Sequence, residues 1–421
     1  MTDDSRVTTG PLATPPASDR QAPERAPRPT PLSERSAAPD LARGMMLLLI
    51  ALAHVPYFLY VAPVGAVGLH PVDGGLADRI AQAVTLIVVD ARVYTMFGFL
   101  FAYGIGQMYA RQVRSGAEPA DARRLLRRRH LWMIVFGAVH GILLWQGDII
   151  GAYGVIGLVL MPLFFRRSDK TLVVWIVVLL AVGAAVAALN AVSYGLGLVP
   201  EAMASDLQRL SIAEPNYLLA ALARIPAWFA VVFGSFVGLA LPTAFLAGNL
   251  ASRRRILDEP SRHLPLLRRL AFWGILLGWG TGVVLALQHT GVVEIAPDGT
   301  LVNVHLFAGT FAGIGYAALF GLIAHRLSVR SAITIAPVRW IGALGRRSMS
   351  GYLFQSLAWG PVLAAWGLGL GAHLSSWSVA LYAVLVWAIT VALAAVMESR
   401  GIRGPAETLL RRLMYGARKR T

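Results

Sequence analysis

Apolar runs near the length of a bilayer span follow one another along most of the chain, each closed by a short polar connection. A hydrocarbon core about 30 Å thick takes roughly 20 helical residues. That measure places about ten spans: Leu41 to Pro63, Val93 to Tyr109, His130 to Trp145, Ile149 to Phe165, Thr171 to Leu198, Pro226 to Asn249, Leu270 to Gln288, Val304 to Ala324, Ser348 to Leu370 and Trp377 to Met397. The expected fold class is all-α, a polytopic transmembrane helical bundle over residues 40–399. Residues 1–39 are rich in Pro, Ala, Ser and Arg without an apolar run, so a disordered tail is expected there, and residues 400–421 form a basic C-terminal segment. No small-residue cleavage site follows the first run, which reads as a retained helix. Residues 64–92 are expected outside, with an amphipathic piece from Ile80 to Val89 lying along the membrane. Small residues recur every fourth position in the second run (Gly98, Ala102, Gly106) and the eighth (Gly309, Gly313, Ala317, Gly321), a spacing that lets helix backbones approach closely.

Composition sharpens this picture. Of 421 residues, 56% are hydrophobic and 14% charged, whereas a soluble domain carries about a quarter charged residues. Cysteine is absent, which excludes disulfides, thiolate nucleophiles and thiolate metal sites. The formal charge of +16 raises the question of nucleic acid, and the placement of the arginines answers it. All but four of the 38 Lys and Arg residues fall in the two terminal segments and alternate connections; the exceptions are Arg79, Arg92, Arg209 and Arg224. That asymmetry is the positive-inside pattern, so both termini are expected in the cytoplasm of a multi-pass protein of the bacterial plasma membrane. Membrane lipids are the expected partners of the basic clusters, and no nucleic acid is.

Ionisable groups within spans are costly and mark candidate chemistry. Arg43 and His54 lie 11 residues apart on the first run, about three helical turns and roughly 16 Å, on one face. An Arg at the cytoplasmic surface suits the phosphates of a donor, and a buried imidazole suits proton exchange. Equally, Arg43 marks the basic boundary and His54 hydrogen-bonds a neighbouring helix. His140 lies in the outer half of the third span and Asp148 just past its end, opening the fourth, where the carboxylate can orient the imidazole or simply cap the helix. His305 reads as an interfacial residue. Ser348, Tyr352, Gln355 and Ser356 form a polar stripe on the ninth span that lines a substrate path or bonds another helix. Trp132, Trp145, Trp340 and Trp377 fit an interfacial aromatic belt. No grouping has metal-ligand spacing, so no metal and no tightly bound cofactor is expected.

The start Asp40, Arg43, Gly44, with His54 eleven residues after the Arg, resembles the first helix of the acyltransferase-3 superfamily. Three further segments resemble a bacterial membrane family catalogued as domain of unknown function 418. They are Leu100 to Gly106, His140 with Gly147, Asp148, Ile149 and Tyr153, and Gly345-Arg346 with Ser350 to Ser356. The tail from Gly404-Pro405 to Tyr415-Gly416 also looks like that family's ending, and the likeness runs from about residue 40 to 416. The family commonly has Asn in place of His54 and Thr-Asn in place of Ser350-Gly351. The acyltransferase resemblance implies transfer of an acyl group from a cytoplasmic acyl-coenzyme A, held at Arg43, to a small-molecule or envelope acceptor. His54 is then the acid/base or transient acyl carrier, with His140 and Asp148 near the acceptor. A transporter or flippase without covalent chemistry, or an envelope scaffold, would use the same polar residues differently. Oligomeric state is not legible.

Overall fold

The computed structural model describes residues 37–65, 67, 70–198, 204–297 and 299–416. The expected tail lies almost wholly outside these, as do Glu201, Asp298 and the last residues of the basic C-terminal segment. The helices are α1 (Ala37–His54), α2 (Leu76–Val84), α3 (Val93–Arg114), α4 (Pro119–Leu143), α5 (Ile149–Phe164), α6 (Asp169–Gly195), α7 (Ala204–Ala213), α8 (Tyr217–Val237), α9 (Ala240–Arg253), α10 (Leu264–His289), α11 (Thr300–Val329), α12 (Ala336–Arg346), α13 (Ser348–Leu363), α14 (Ser376–Ser399) and α15 (Pro405–Tyr415). The protein is an all-α membrane bundle. Among the described residues, seven helical stretches are long and apolar enough to cross a membrane, and α5 is a shorter apolar helix. The outer surface is apolar: on α6, Val174, Val177 and Leu189 are 58%, 57% and 67% exposed. Such a surface is stable only against lipid.

Several elements depart from the sequence reading for identifiable reasons. The run from Pro226 to Asn249 is two helices, broken at Gly238 and at Leu239, whose φ is 62°. The stretch from Ile80 to Val89 is not one regular amphipathic helix. The second half of α2 leads into a π-helical turn at Thr85–Val89, with Gln82, Thr85, Leu86 and Val89 buried. Leu76, Ile80 and Val84, four residues apart, form the exposed apolar stripe of α2. Its periodicity was legible, but its polar face turns inward: Gln82 donates to Ser376 Oγ of α14 at 3.0 Å.

Arg92 pins this region. It is fully buried, and its guanidinium donates to the carbonyls of Leu86, Asp90 and Gly278 and contacts His305 Nε2 at 3.1 Å. His305 is therefore a core residue, 3% exposed, rather than an interfacial one. The small-residue spacing of α11 serves the same junction. A Cβ at Gly309 would overlap the backbone of Ala91, and one at Gly313 would overlap Thr95 and the Arg92 carbonyl. Gly309→Leu is expected to cost about 1–3 kcal/mol through overpacking. Gly280→Ala, with no neighbouring atom within 4 Å, is expected to leave thermal stability in detergent nearly unchanged.

Candidate functional site

The first helix carries a polar residue at each end of one face. Arg43 donates to Asp40 Oδ1 at 3.2 Å and to the Leu100 carbonyl of α3 at 3.1 Å. Gly104, one turn further along α3, has no side chain because the guanidinium occupies its place. Gly44 and Gly345 bring α1 and α12 into backbone contact, at Ile341 and Asp40. The Asp40, Arg43, Gly44 start thus builds a junction of α1, α3 and α12.

Beneath that junction lies a cavity of about 240 Å³. Arg43, Arg111, Arg129, Arg346 and Arg411 line it together with Asp40 and Glu407, and its apolar walls include Phe97, Phe101, Met133 and Ile150. Tyr352 of α13 is also part of its lining. The cavity therefore joins the arginine-rich end of the bundle to the polar stripe of α13. A crevice of about 380 Å³ between α6, α9 and α11 has no charged lining residue.

Tyr352 touches both candidate histidines. Its ring centroid is 5.1 Å from that of His140 and 6.4 Å from that of His54. His54, the last residue of α1, does not line the cavity. It stands one turn beyond Ile50, which does, amid Trp145 at 5.6 Å and Trp359 at 6.1 Å. Trp145, expected in an interfacial belt, is a buried wall of this site at 2% exposure, whereas Trp340 and Trp377 are about half exposed.

The pairing expected of His140 and Asp148 is formed: Nδ1 and Oδ1 are 2.9 Å apart, and both side chains are buried. Asp148 also caps α5, its Oδ2 accepting from Gly151 N at 2.6 Å, so positioning and capping coexist in one carboxylate. Gly137 and Gly151, without side chains, leave room for it between α4 and α5. The stripe on α13 divides. Ser348 and Tyr352 line the cavity, Ser356 Oγ donates back to the Tyr352 carbonyl at 3.3 Å, and Gln355 is fully buried with neither amide atom paired. His54 Nδ1, His140 Nε2 and the indole nitrogens of Trp145 and Trp359 are likewise buried without a partner. Buried polar atoms left unpaired each cost about 1–3 kcal/mol; others are found at His130, Asn249 and His305, and those near Tyr352 adjoin the arginine-lined cavity.

Sequence reasoning missed the role of α15. Glu407 accepts from Met349 N at 2.8 Å, from Ser350 N at 3.1 Å and from Ser350 Oγ, while Ala406 N donates to Ser350 Oγ at 3.0 Å. A carboxylate from α15 thus caps α13, and Gly404 is bare because Glu407 and Ser350 fill its surroundings. Leu410 and Met414 close the cavity wall, and burial raises the Tyr415 phenol above its ordinary range. Glu407→Ala is expected to release α15, seen as faster amide hydrogen exchange over residues 405–415 with little change in α6.

Comparison with known proteins adds a likeness without an activity. Residues 251–417 match the model of the family described as "Protein of unknown function (DUF418)". The chain is 25% identical over 416 residues to "Uncharacterized protein YxaH" of Bacillus subtilis, covering 92% of this chain and 96% of that one. It is 24% identical over 427 residues to "Uncharacterized protein YeiB" of Escherichia coli, covering 91% and 97%. A third relative, "Uncharacterized 39.9 kDa protein in amylase 3'region" of Bacillus acidopullulyticus, is 31% identical over 154 residues, 37% of this chain and 41% of that one. The likeness read from Gly345-Arg346, from Ser350 to Ser356 and from the tail after Gly404 therefore holds, and over residues 251–417 this chain is similar to the DUF418 proteins.

Proposed function

We propose that the protein is an acyltransferase of the bacterial plasma membrane, moving an acyl group from a cytoplasmic acyl-coenzyme A to a small-molecule or envelope acceptor. The observation that carries this reading is one cavity whose lining includes both the five arginines and Tyr352, the residue against which both imidazoles rest. Arginines bind phosphate with charge-assisted hydrogen bonds, and the apolar walls suit the uncharged arm that joins those phosphates to a thioester. The basic mouth is assigned to the cytoplasm by the positive-inside pattern.

In the transfer step the acceptor's hydroxyl or amine gives its proton to His140 Nε2 while its oxygen or nitrogen attacks the thioester carbonyl. The carbon–sulfur bond breaks, and the proton taken up by His140 Nε2 passes by way of the neutral imidazole of His54, which accepts at one nitrogen and gives from the other, to the thiolate, which leaves as the thiol. With Nδ1–H donated to Asp148, Nε2 of His140 is the basic nitrogen, the arrangement of a base and its orienting carboxylate. Arg43 holds the donor; Tyr352 and Gln355 border the path of the reacting groups, and Ser356 supports that turn of α13.

A general acid or base contributes about 100-fold to 10,000-fold to rate. Donor turnover or label transfer from radiolabelled acetyl-coenzyme A by purified protein is therefore expected to fall at least about 100-fold in His140→Ala and in His54→Ala. Arg43→Ala is expected to raise KM more than it lowers kcat. Transfer undiminished in both histidine variants would refute the mechanism, and gradient-dependent solute uptake without acyl product would favour a transporter.

A further inference from the structure

A second carboxylate–imidazole pair lies at the opposite end of the bundle from the arginines. Helix α3 runs from Arg92 to the cavity-lining Arg111, and Asp90 stands just before its start. His70 Nε2 and Asp90 Oδ2 are 2.6 Å apart, with His70 buried and Asp90 partly accessible. The backbone here is unusual. A π-helical turn ends at Asp90, and Ala91 takes a φ of 62°, which a residue with a Cβ rarely adopts. Irregular turns of this kind are retained where a side chain must be aimed. Arg92 and the bare face of Gly309 hold the turn in place.

Helix α1 packs directly against that π turn. That contact brings the end of α1, with His54 and Tyr57, toward the turn that carries Asp90, and His54 and His140 meet the same Tyr352 ring. His54, Tyr57 and Asp90 all keep partial accessibility amid buried neighbours. The charged and titratable groups around Asp90 are His70, Arg92, His305, His54 and Tyr57, and His289 lies 5.9 Å from His70 ring to ring. Those facing His54 are His140, Tyr352 and Asp90.

We propose that the His70–Asp90 pair is an external proton port, and that protons pass between it and the cytoplasmic cavity through His54, His140 and Tyr352. A proton taken up by the pair moves from Asp90 to the unpartnered Nδ1 of His54 and on to Nε2 of His140. It leaves past the Tyr352 hydroxyl into the cavity, each donor regaining a proton from the external side. Chains of Asp and His within a bundle are the usual carriers of such movement. The relay stands apart from acyl chemistry, because it needs no donor.

The test is proton flux into proteoliposomes containing a trapped pH dye, with potassium and valinomycin clamping the voltage and no thioester present. The wild-type protein is expected to collapse an imposed pH step at least tenfold faster than protein-free vesicles. Asp90→Asn, His70→Gln and His54→Ala are expected to return to the protein-free rate, while Asp73→Asn, an exposed acid of the same loop, keeps the wild-type rate. Size-exclusion elution and melting temperature identify any variant that misfolds, and the folded ones decide. Wild-type flux no faster than protein-free vesicles, or folded His70→Gln and Asp90→Asn conducting like wild type, would overturn the relay. Neither result bears on acyl transfer, which is read with donor present.

Discussion

Within a bilayer a polar group finds its partner inside the protein or goes without. That constraint organises this molecule. Where partners are supplied, the polar residue acts as a structural rivet. Arg92 gathers α3, α10 and α11 around its guanidinium, and Arg224 closes the end of α4 by donating to the carbonyls of Ile142 and Leu143. Around Tyr352 partners are withheld from several groups at once: His54, His140, Gln355 and two indoles leave nitrogen or oxygen atoms open there, next to the cavity that Tyr352 lines.

Helix α13 links the two ends. Its start is fixed by Arg347, which bonds Glu398 of α14 and the Ile402 carbonyl, and by the Glu407 cap from α15. One turn later Tyr352 meets the cavity and the imidazoles, and Trp359 closes the site from beyond His54. The C-terminal segment is thereby structural as well as basic: α15 forms one wall of the cavity and holds the helix that carries the central tyrosine.

Much of the bundle was legible because lipid imposes a simple code. Length and hydropathy found most helices, and the spacing of Gly309 and Gly313 announced a close approach that the structure realises against Ala91 and Thr95. The His140–Asp148 pair followed from short-range spacing, whereas His54, placed on the face of Arg43, stands one turn beyond the cavity lining. What escaped depends on contacts between distant segments. Glu407 pairs with Ser350 across 57 residues, and Arg92 with His305 across 213. Trp145 looked interfacial because it ends a run, yet the chain folds it inward. The break at Leu239 leaves no apolar signal at all, and the π turn before Asp90 is a backbone irregularity that composition does not encode.

The central claim is that the arginine-lined cavity delivers an acyl donor to the imidazoles beside Tyr352. The most direct measurement is an experimental structure of the protein in lipid nanodiscs, saturated with a non-hydrolysable acyl-coenzyme A analogue. The account predicts phosphate density against Arg43 and Arg411 and the sulfur-equivalent atom beside Tyr352. An empty cavity at saturating analogue, or density bound elsewhere on the bundle, would contradict it.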